Sequence, residues 1–524
     1  MRRTRLQKWL ANPTLHHNWK LSSTPLSSTD VSSSPSHSSS EIGDWNSSTE
    51  HEDDLELVIH AILIPNYKED IEGLIETLEV YLAMEQREET ARTKAALLVS
   101  RYKSRFRCIA ATFHPQDIPG ESPGKSSNLS WAARIASKRY EPEMRRDVVL
   151  TSIDADSHIS WRYFSEITSM HLAYPDTAAT TLYSVPIIFD RNAHLVPGVV
   201  RVADVVWCAA GLSGQYRGST ICPPTSVYSV PLELADRVGG WDTGREAIGE
   251  DLHMYLKCFF ALNGHLITRT VTSPVSQTNI TSSKGDGLVN QLHGMNARYR
   301  QALRHMWGSL DTGYALKQAV QVWRRRRQTH QLRQPLHIKT SPKTRKDTSS
   351  NCQMNILGTE DLSMRVKVRP PNWLNIFLLF HRLFEAHFMP AHIPILVVAS
   401  SLYRALVPED QDTFSIAWTF VATDILRTVG LVTLLVYFYS YQEYHHLALE
   451  ARQNEMVAAG LEEGMKGNFS TRSWKNVFDC VWIPFVAPLY GSIPAIHAQL
   501  CHFWTLDLTY IVSSKPVRRK CNTA

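Results

Sequence analysis

The sequence predicts an α/β domain, built on a mostly parallel sheet covered by helices and followed by C-terminal membrane helices. Two apolar runs rich in β-branched residues, Leu57–Pro65 (LVIHAILIP) and Asp147–Ile153 (DVVLTSI), read as strands buried on both faces. Helical patterns lie between and after them, Leu252–Leu262 among these, and such alternation suggests a parallel sheet with covering helices. Beyond residue 370, apolar stretches reach the roughly 20 residues that a bilayer crossing needs.

Composition narrows the class. At 524 residues and 59.5 kDa the chain exceeds the roughly 300 residues over which one core grows, so more than one unit is expected. With 43% hydrophobic and 20% charged residues, global disorder and collagen-like repeats are excluded. A mean hydropathy of −0.22 excludes a chain that is mostly membrane helix. The net charge of +5 gives no reason to expect nucleic acid as a partner. Eight cysteines without a CxxC pair argue against a disulfide framework or a zinc module.

In chain order, residues 1–54 read as a basic start without the apolar core of a secretory signal, then a Ser/Thr-rich tail expected to be disordered. The soluble domain is expected over 55–314 and a basic juxtamembrane linker over 315–371, including Arg324–Arg327. The membrane region spans 372–513. Asn372–His387 is amphipathic, as an interfacial helix is. Phe388–Val407 and Phe414–Tyr441 each qualify as spans, whereas Val477–Tyr510 is interrupted by Pro484, Pro488 and Pro494. Residues 514–524 form a basic tail. With basic segments at 315–370 and 515–520 and an acidic loop at Pro408–Asp412, the positive-inside rule places the soluble domain and the C-terminus in the cytosol of a multi-pass membrane protein. That requires an even number of crossings, two or four.

In parallel sheets ligands gather at the carboxyl ends of strands, and four polar motifs fall there. The first run ends in Pro65, Tyr67, Lys68, Glu69 and Asp70, and the second in Asp154-Ala-Asp156. Two carboxylates at a sheet edge suit Mg²⁺ or Mn²⁺ held against a diphosphate, because hard cations take oxygen ligands. A capped or salt-bridged pair is the alternative. The loop Pro119–Asn128 is Gly-rich, but Gly120 and Gly124 are too close for a P-loop, and no clear strand precedes it. Its Lys125 remains able to neutralise phosphate. Glu250-Asp251 opens a helix after Gly239-Gly-Trp-Asp242; acidic residues favour helix starts in any case, and in this context the pair is a candidate general base. Gln301, Arg304 and Trp307 recur at helical spacing, which an ordinary amphipathic helix also shows. A second D-x-D, Asp410/Asp412, is assigned no function.

Taken together, the strand ending PNYKE, the lysine, D-x-D, the ED pair, Q-x-x-R…W and the membrane helices resemble family 2 glycosyltransferases, which include cellulose, chitin and hyaluronan synthases. The strings PGESPGKSSNLSWAA, SPVSQTNI, SVYSVPL, GEDLHMYLKCFFALNG and RYRQALRHMWGSLDTG are similar to a fungal membrane glycosyltransferase group. The resemblance covers about 55–320 strongly and the membrane region loosely. It implies a GT-A fold and metal-assisted, inverting transfer from a nucleotide-diphosphate sugar, usually UDP-linked, to a hydroxyl acceptor. It implies nucleotide-sugar contacts at Pro65, Tyr67 and Glu69, metal and diphosphate at Asp154 and Asp156, a base at Asp251, and acceptor or diphosphate contacts at Gln301, Arg304 and Trp307. The acceptor is left open between a polysaccharide or lipid and a small metabolite. The alternative is a catalytically impaired, membrane-anchored relative that serves as an interaction protein. Two departures stand out. Two extra residues, His305 and Met306, precede the tryptophan. The segment around Ile71–Glu85 is also short, so either a crossover helix is truncated, weakening nucleotide binding, or residues 71–99 run as one helix.

Overall fold

The two apolar runs form neighbouring parallel strands, β1 (Ile59–Asn66) and β4 (Val148–Ser152), in register from Ile59 opposite Val148 to Leu63 opposite Ser152. The computed structural model describes residues 58–66, 81–103, 108–216, 218–244, 247, 249–281, 287–333, 369–407, 417–458 and 478–506. Ile62, Leu63, Ile64 and Val148 to Leu150 are at most 2% exposed, as strands covered on both faces require.

β2 (Tyr81–Glu85) and β3 (Ala110–His114) extend this sheet on one side. β5 (Thr181–Ser184), β7 (Tyr228–Pro231) and β8 (Ile267–Thr270) extend it on the other. The seven strands lie in the order β3-β2-β1-β4-β7-β5-β8, parallel except for β7, which runs against both neighbours. β6 (Ile187–Phe189) and β9 (Val275–Gln277) form a separate parallel pair. The strand order reverses between β1 and β4, so a crevice opens at their carboxyl ends.

Helices cover both faces. On one, α1 (Ala91–Tyr102) and α3 (Trp161–Ala173) bury Ala95, Leu98, Tyr163 and Ile167. On the other, α2 (Lys125–Arg139), α5 (Glu250–Ala261) and α7 (Ser309–Arg333) bury Leu129, Ala136, Phe259, Ala315 and Val322. α4 (Gly198–Leu212) and α6 (Gly287–Trp307) close the crevice side.

Three expectations change. The strand β2 excludes a single helix over residues 71–99. β1 ends at Asn66, so the fourteen residues 67–80 join two parallel strands, which meets the dozen or so that such a connection needs. A strand, β3, does precede the Gly-rich loop. Finally, the linker expected from residue 315 begins inside α7; residues 334–368 lie outside those described, as do the tails 1–57 and 507–524.

α8 (Trp373–His387) is capped by the Asn372 side chain and buries Asn375, Ile376, Leu379, Leu383 and His387 against the domain. Leu374, Phe377, Leu378 and Phe384 stay exposed on its other side, so the helix is apolar on two faces.

Among the described residues three helical segments are long and apolar enough to cross a membrane: Met389–Leu406, Trp418–Val457 and Phe478–Cys501. The first is α9 (Met389–Leu406) and the second lies within α10 (Ala417–Ala458). α10 continues well past the Tyr441 limit of the expected span.

The third segment passes from a 3₁₀ turn (Phe478–Trp482) through a π-helical turn (Ala487–Ser492) to an α-helix (Ile493–Cys501). Pro484, Pro488 and Pro494 each lack the N–H that a regular helix would use. This segment docks on α4. Arg201 donates from Nε (2.7 Å) and Nη2 (2.6 Å) to Asp479. Ile483, Val486 and Tyr490 pack with Val199, Val200 and Ala203. Gly198 lies so close that a Cβ there would meet the Trp482 Nε1 at 2.9 Å.

Candidate active site

The loop after β3 turns at Gly124, whose φ of +143° suits glycine, and delivers Lys125 to the first turn of α2. The Lys125 Nζ donates to Asp154 Oδ1 (2.8 Å), Glu250 Oε1 (2.7 Å) and the Ser226 carbonyl (3.2 Å). Burial works against the ammonium, but Asp154, Glu250 and Asp251 outweigh it and raise the lysine's pKa above its ordinary value. Burial, reinforced by Asp251 and Asp154, pushes Glu250 up to about 8 in spite of Lys125.

Asp251 is differently placed. Its Oδ2 accepts the Ser226 N–H (2.6 Å) and its Oδ1 the Leu252 N–H (2.8 Å), which fixes the carboxylate's direction. Ser226 holds φ at +70°, a strained value for a residue with a side chain. Its hydroxyl donates to Asp154 Oδ2. Gln277 Nε2 donates to the same oxygen (3.3 Å), to Ser157 Oγ (3.1 Å) and to Ser226 Oγ (3.1 Å).

These groups face a cavity of about 700 Å³. Lys125, Asp154, Asp156, Glu250 and Asp251 line one part of it, at the carboxyl ends of β1 and β4. Gln301, Arg304 and His305 of α6 line another, with Trp207 of α4, Leu383 and Met389 near the α8–α9 junction, and Val486 and Tyr490 of the third apolar segment. His305 stacks on Trp207 with ring centroids 5.2 Å apart. Burial, then the charges of Arg304 and Arg298, hold its pKa well below the ordinary value, so the ring is neutral.

The structure thus brings together Lys125, Asp154, Asp156, Glu250, Asp251, Gln301 and Arg304. Trp307 is not among the cavity's lining residues. It is 3% exposed, its Nε1 donates to the Leu506 carbonyl (3.3 Å), and its ring meets His502 edge-on. His305 occupies the lining instead. Pro65 pairs opposite Ala83 near the end of β1, and Tyr67 and Glu69 lie outside the described residues. Sequence reasoning missed Ser226, Gln277 and His305. The first two stand inside the quoted strings SVYSVPL and SPVSQTNI, but neither has a local pattern that marks a ligand.

Behind α5, His253 bridges two carboxylates, with Nδ1 2.6 Å from Asp311 Oδ1 and Nε2 2.9 Å from Asp242 Oδ2. Burial opposes its charge, but these two bonds raise its pKa from 6.5 to about 9. The protonated ring stabilises the fold fully below about pH 6.5, and that contribution is lost as pH rises through about 9. The loss is on the order of 3 kcal/mol at most. Glu250, also raised, acts in the same direction at lower pH. The thermal midpoint in detergent is therefore expected to fall between pH 6.5 and 9.5, and Asp311→Asn to shrink that fall. An equal fall in the variant would show that the His253 bridge is not its source.

A family model for glycosyl transferase family group 2 matches residues 149–439, more than half of the chain, and the chain belongs to that family. It is a glycosyltransferase, and its mostly parallel α/β domain is GT-A-like. No curated protein matches. Among solved structures, glucosyl-3-phosphoglycerate synthase from Mycobacterium tuberculosis, in complex with Mn²⁺, UDP-glucose and glycerol 3-phosphate, is 13% identical, with 47% of this chain and 78% of that one covered and a TM-score of 0.27. TarS residues 1–349 of S. aureus, in complex with UDP-GlcNAc, is 13% identical, with 47% and 66% covered and a TM-score of 0.28. The family assignment rests on the family model.

Proposed function

We propose that this chain is a membrane-bound, inverting glycosyltransferase that moves a sugar from a UDP-linked donor to a hydroxyl acceptor, with Asp251 as general base. The observation that carries the reading is the convergence of Lys125, Asp154, Asp156 and Asp251 on one cavity at the switch point of the sheet.

The donor's diphosphate lies against Lys125, Asp154 and Asp156, with Arg304 adding positive charge. The two aspartates suit Mg²⁺ or Mn²⁺: they are hard oxygen donors one residue apart, both on the cavity lining. Among the described residues no three His, Cys, Asp or Glu side chains form a metal-holding group. Mg²⁺ sites commonly use one or two carboxylates together with phosphate oxygens. When bound, such a cation supplies Lewis-acid stabilisation of the leaving diphosphate.

Asp251 takes the proton from the acceptor hydroxyl while that oxygen bonds to the anomeric carbon. The bond from that carbon to the diphosphate breaks, its electron pair leaves with the diphosphate, and attack from the opposite face inverts the centre. Glu250, 5% exposed and held by Lys125 and Ser152, supports the lysine and is not the base. The apolar side of the cavity, beside α9 and the third segment, suits a hydroxyl acceptor that approaches from the lipid bilayer.

α9 and α10 cross the membrane and leave the catalytic domain in the cytosol. The docked third segment, tied to α4 by Arg201 and Asp479, lies at the surface of that domain. Two crossings agree with basic segments on both sides of the membrane region.

The test is UDP release from a panel of UDP-sugars by membranes carrying the protein, with Mn²⁺ or with a chelator. Release with one sugar, lost on chelation, is expected. Failure of every donor together with no binding of UDP would sink the reading.

A further inference from the structure

We propose that Arg452, in the extension of α10 beyond the membrane, is a positioning residue for the donor site. The inference rests on the reading of Asp154 as the diphosphate-binding carboxylate.

α10 changes character along its length. Trp418, Val421, Ile425, Leu426, Val429, Val432, Val436 and Tyr439 are exposed and apolar. That stretch of about 22 residues spans roughly 33 Å, close to the hydrocarbon thickness of a bilayer. From Tyr441 onward the helix is partly buried against the catalytic domain. The Tyr441 hydroxyl donates to the Ile187 carbonyl (3.1 Å), and Ala448 packs with Ile187 and Ile188. Glu455 forms an ion pair with Arg162, its Oε1 2.7 Å from Nε, and accepts from Ser160 Oγ (2.7 Å).

Between these contacts the Arg452 guanidinium donates to Asp190 Oδ2 and Ser276 Oγ, and Ser276 Oγ donates to Asp190 Oδ1. Asp190 is 0% exposed, a buried carboxylate whose cation comes from the membrane helix. Asp190 directly follows β6 and Ser276 lies within β9. The next residue is Gln277, whose amide holds Asp154, Ser157 and Ser226. Ser276 also exchanges backbone hydrogen bonds of 2.7 and 3.0 Å with His158, two residues past Asp156. The ion pair to Asp190 and the hydrogen bond to Ser276 thus join α10 to the end of β6 and to β9, the strand whose Gln277 orients the D-x-D carboxylate.

The experiment uses the full chain in phosphatidylcholine nanodiscs, with Arg452→Met and Arg452→Lys. Two quantities are read: the Kd for UDP with Mn²⁺, and hydrogen exchange at residues 187–190 and 275–277. Arg452→Met is expected to raise the UDP Kd about tenfold and to speed exchange in both strands, with turnover at saturating donor within about threefold of the parent. Arg452→Lys keeps a cation and is expected to stay within about threefold in Kd. Wild-type Kd and exchange in the Met variant would overturn the proposal, as would equal losses in Lys and Met. Should the Met variant misfold, Ser276→Ala removes only the hydroxyl link, and an unchanged Kd there would count against the proposal equally. If the parent protein binds no UDP, the donor reading falls, whereas the exchange comparison still decides whether Arg452 orders β6 and β9.

Discussion

Replacing Asp251 with Asn is expected to lower transfer about a thousandfold while leaving the Kd for UDP within about threefold. The amide keeps the side chain's size and one oxygen, so one of the Ser226 and Leu252 N–H groups retains an acceptor while the other meets the amide NH2. What it lacks is the capacity to take a proton, a step worth roughly 10² to 10⁴ in rate. Glu250 cannot substitute, because it is buried beneath Lys125 and its carboxylate is tied to that lysine and to Ser152. Steady-state transfer and UDP titration on the same preparation separate the two effects. A variant that loses UDP binding in proportion to rate would show that Asp251 holds the donor and does not serve as the base.

Lys125→Met has the other large expected effect, and it acts on both stability and affinity. The substitution leaves Glu250 and Asp154 facing each other without their shared cation. Breaking a buried pair by removing one partner costs about 3–5 kcal/mol. Protonation of Glu250, whose pKa already stands near 8, offsets part of that cost. UDP affinity is expected to fall about ten- to a hundredfold, as the loss of a charged hydrogen bond of about 1.5–3 kcal/mol implies. The double variant Lys125→Met with Glu250→Gln is expected to recover most of the thermal midpoint and none of the affinity. Recovery of both would mean that Lys125 only neutralises Glu250.

The parts of this architecture that announce themselves locally were legible in the sequence. β1 and β4 are buried on both faces and read as unbroken apolar runs, and they carry Asp154 and Asp156 to the sheet edge. Glu250 and Asp251 open a helix, as their spacing from GGWD suggests. β3 gives no such signal because it is an edge strand with only two of its five residues buried, and half-covered strands lack a continuous apolar run. The connection before β2 reads as short when PNYKE is counted with the strand, but β1 ends at Asn66.

Trp307 illustrates a different limit. Gln301, Arg304 and His305 share one side of α6, whereas a residue six positions after Gln301 is rotated by about 240° from it. The two extra residues before the tryptophan were visible in the sequence, but where they would send its ring was not. Ser226 and Gln277 reach Asp154 from 72 and 123 positions away. Only the folded sheet brings such residues together.

The close approach of Gly198 to the Trp482 indole has a consequence for how this chain can vary. A side chain at 198 and a large ring at 482 compete for the same volume, so neither site is free to change without regard to the other. Enlarging 198 first requires the ring to move, and disturbs the packing of the third apolar segment on α4. Shrinking 482 first removes that obstacle. The two orders of substitution end in the same sequence, yet they pass through intermediates of unequal stability. The history of changes at this contact therefore has a preferred direction, set by a few tenths of an ångström between a helix start and an indole nitrogen.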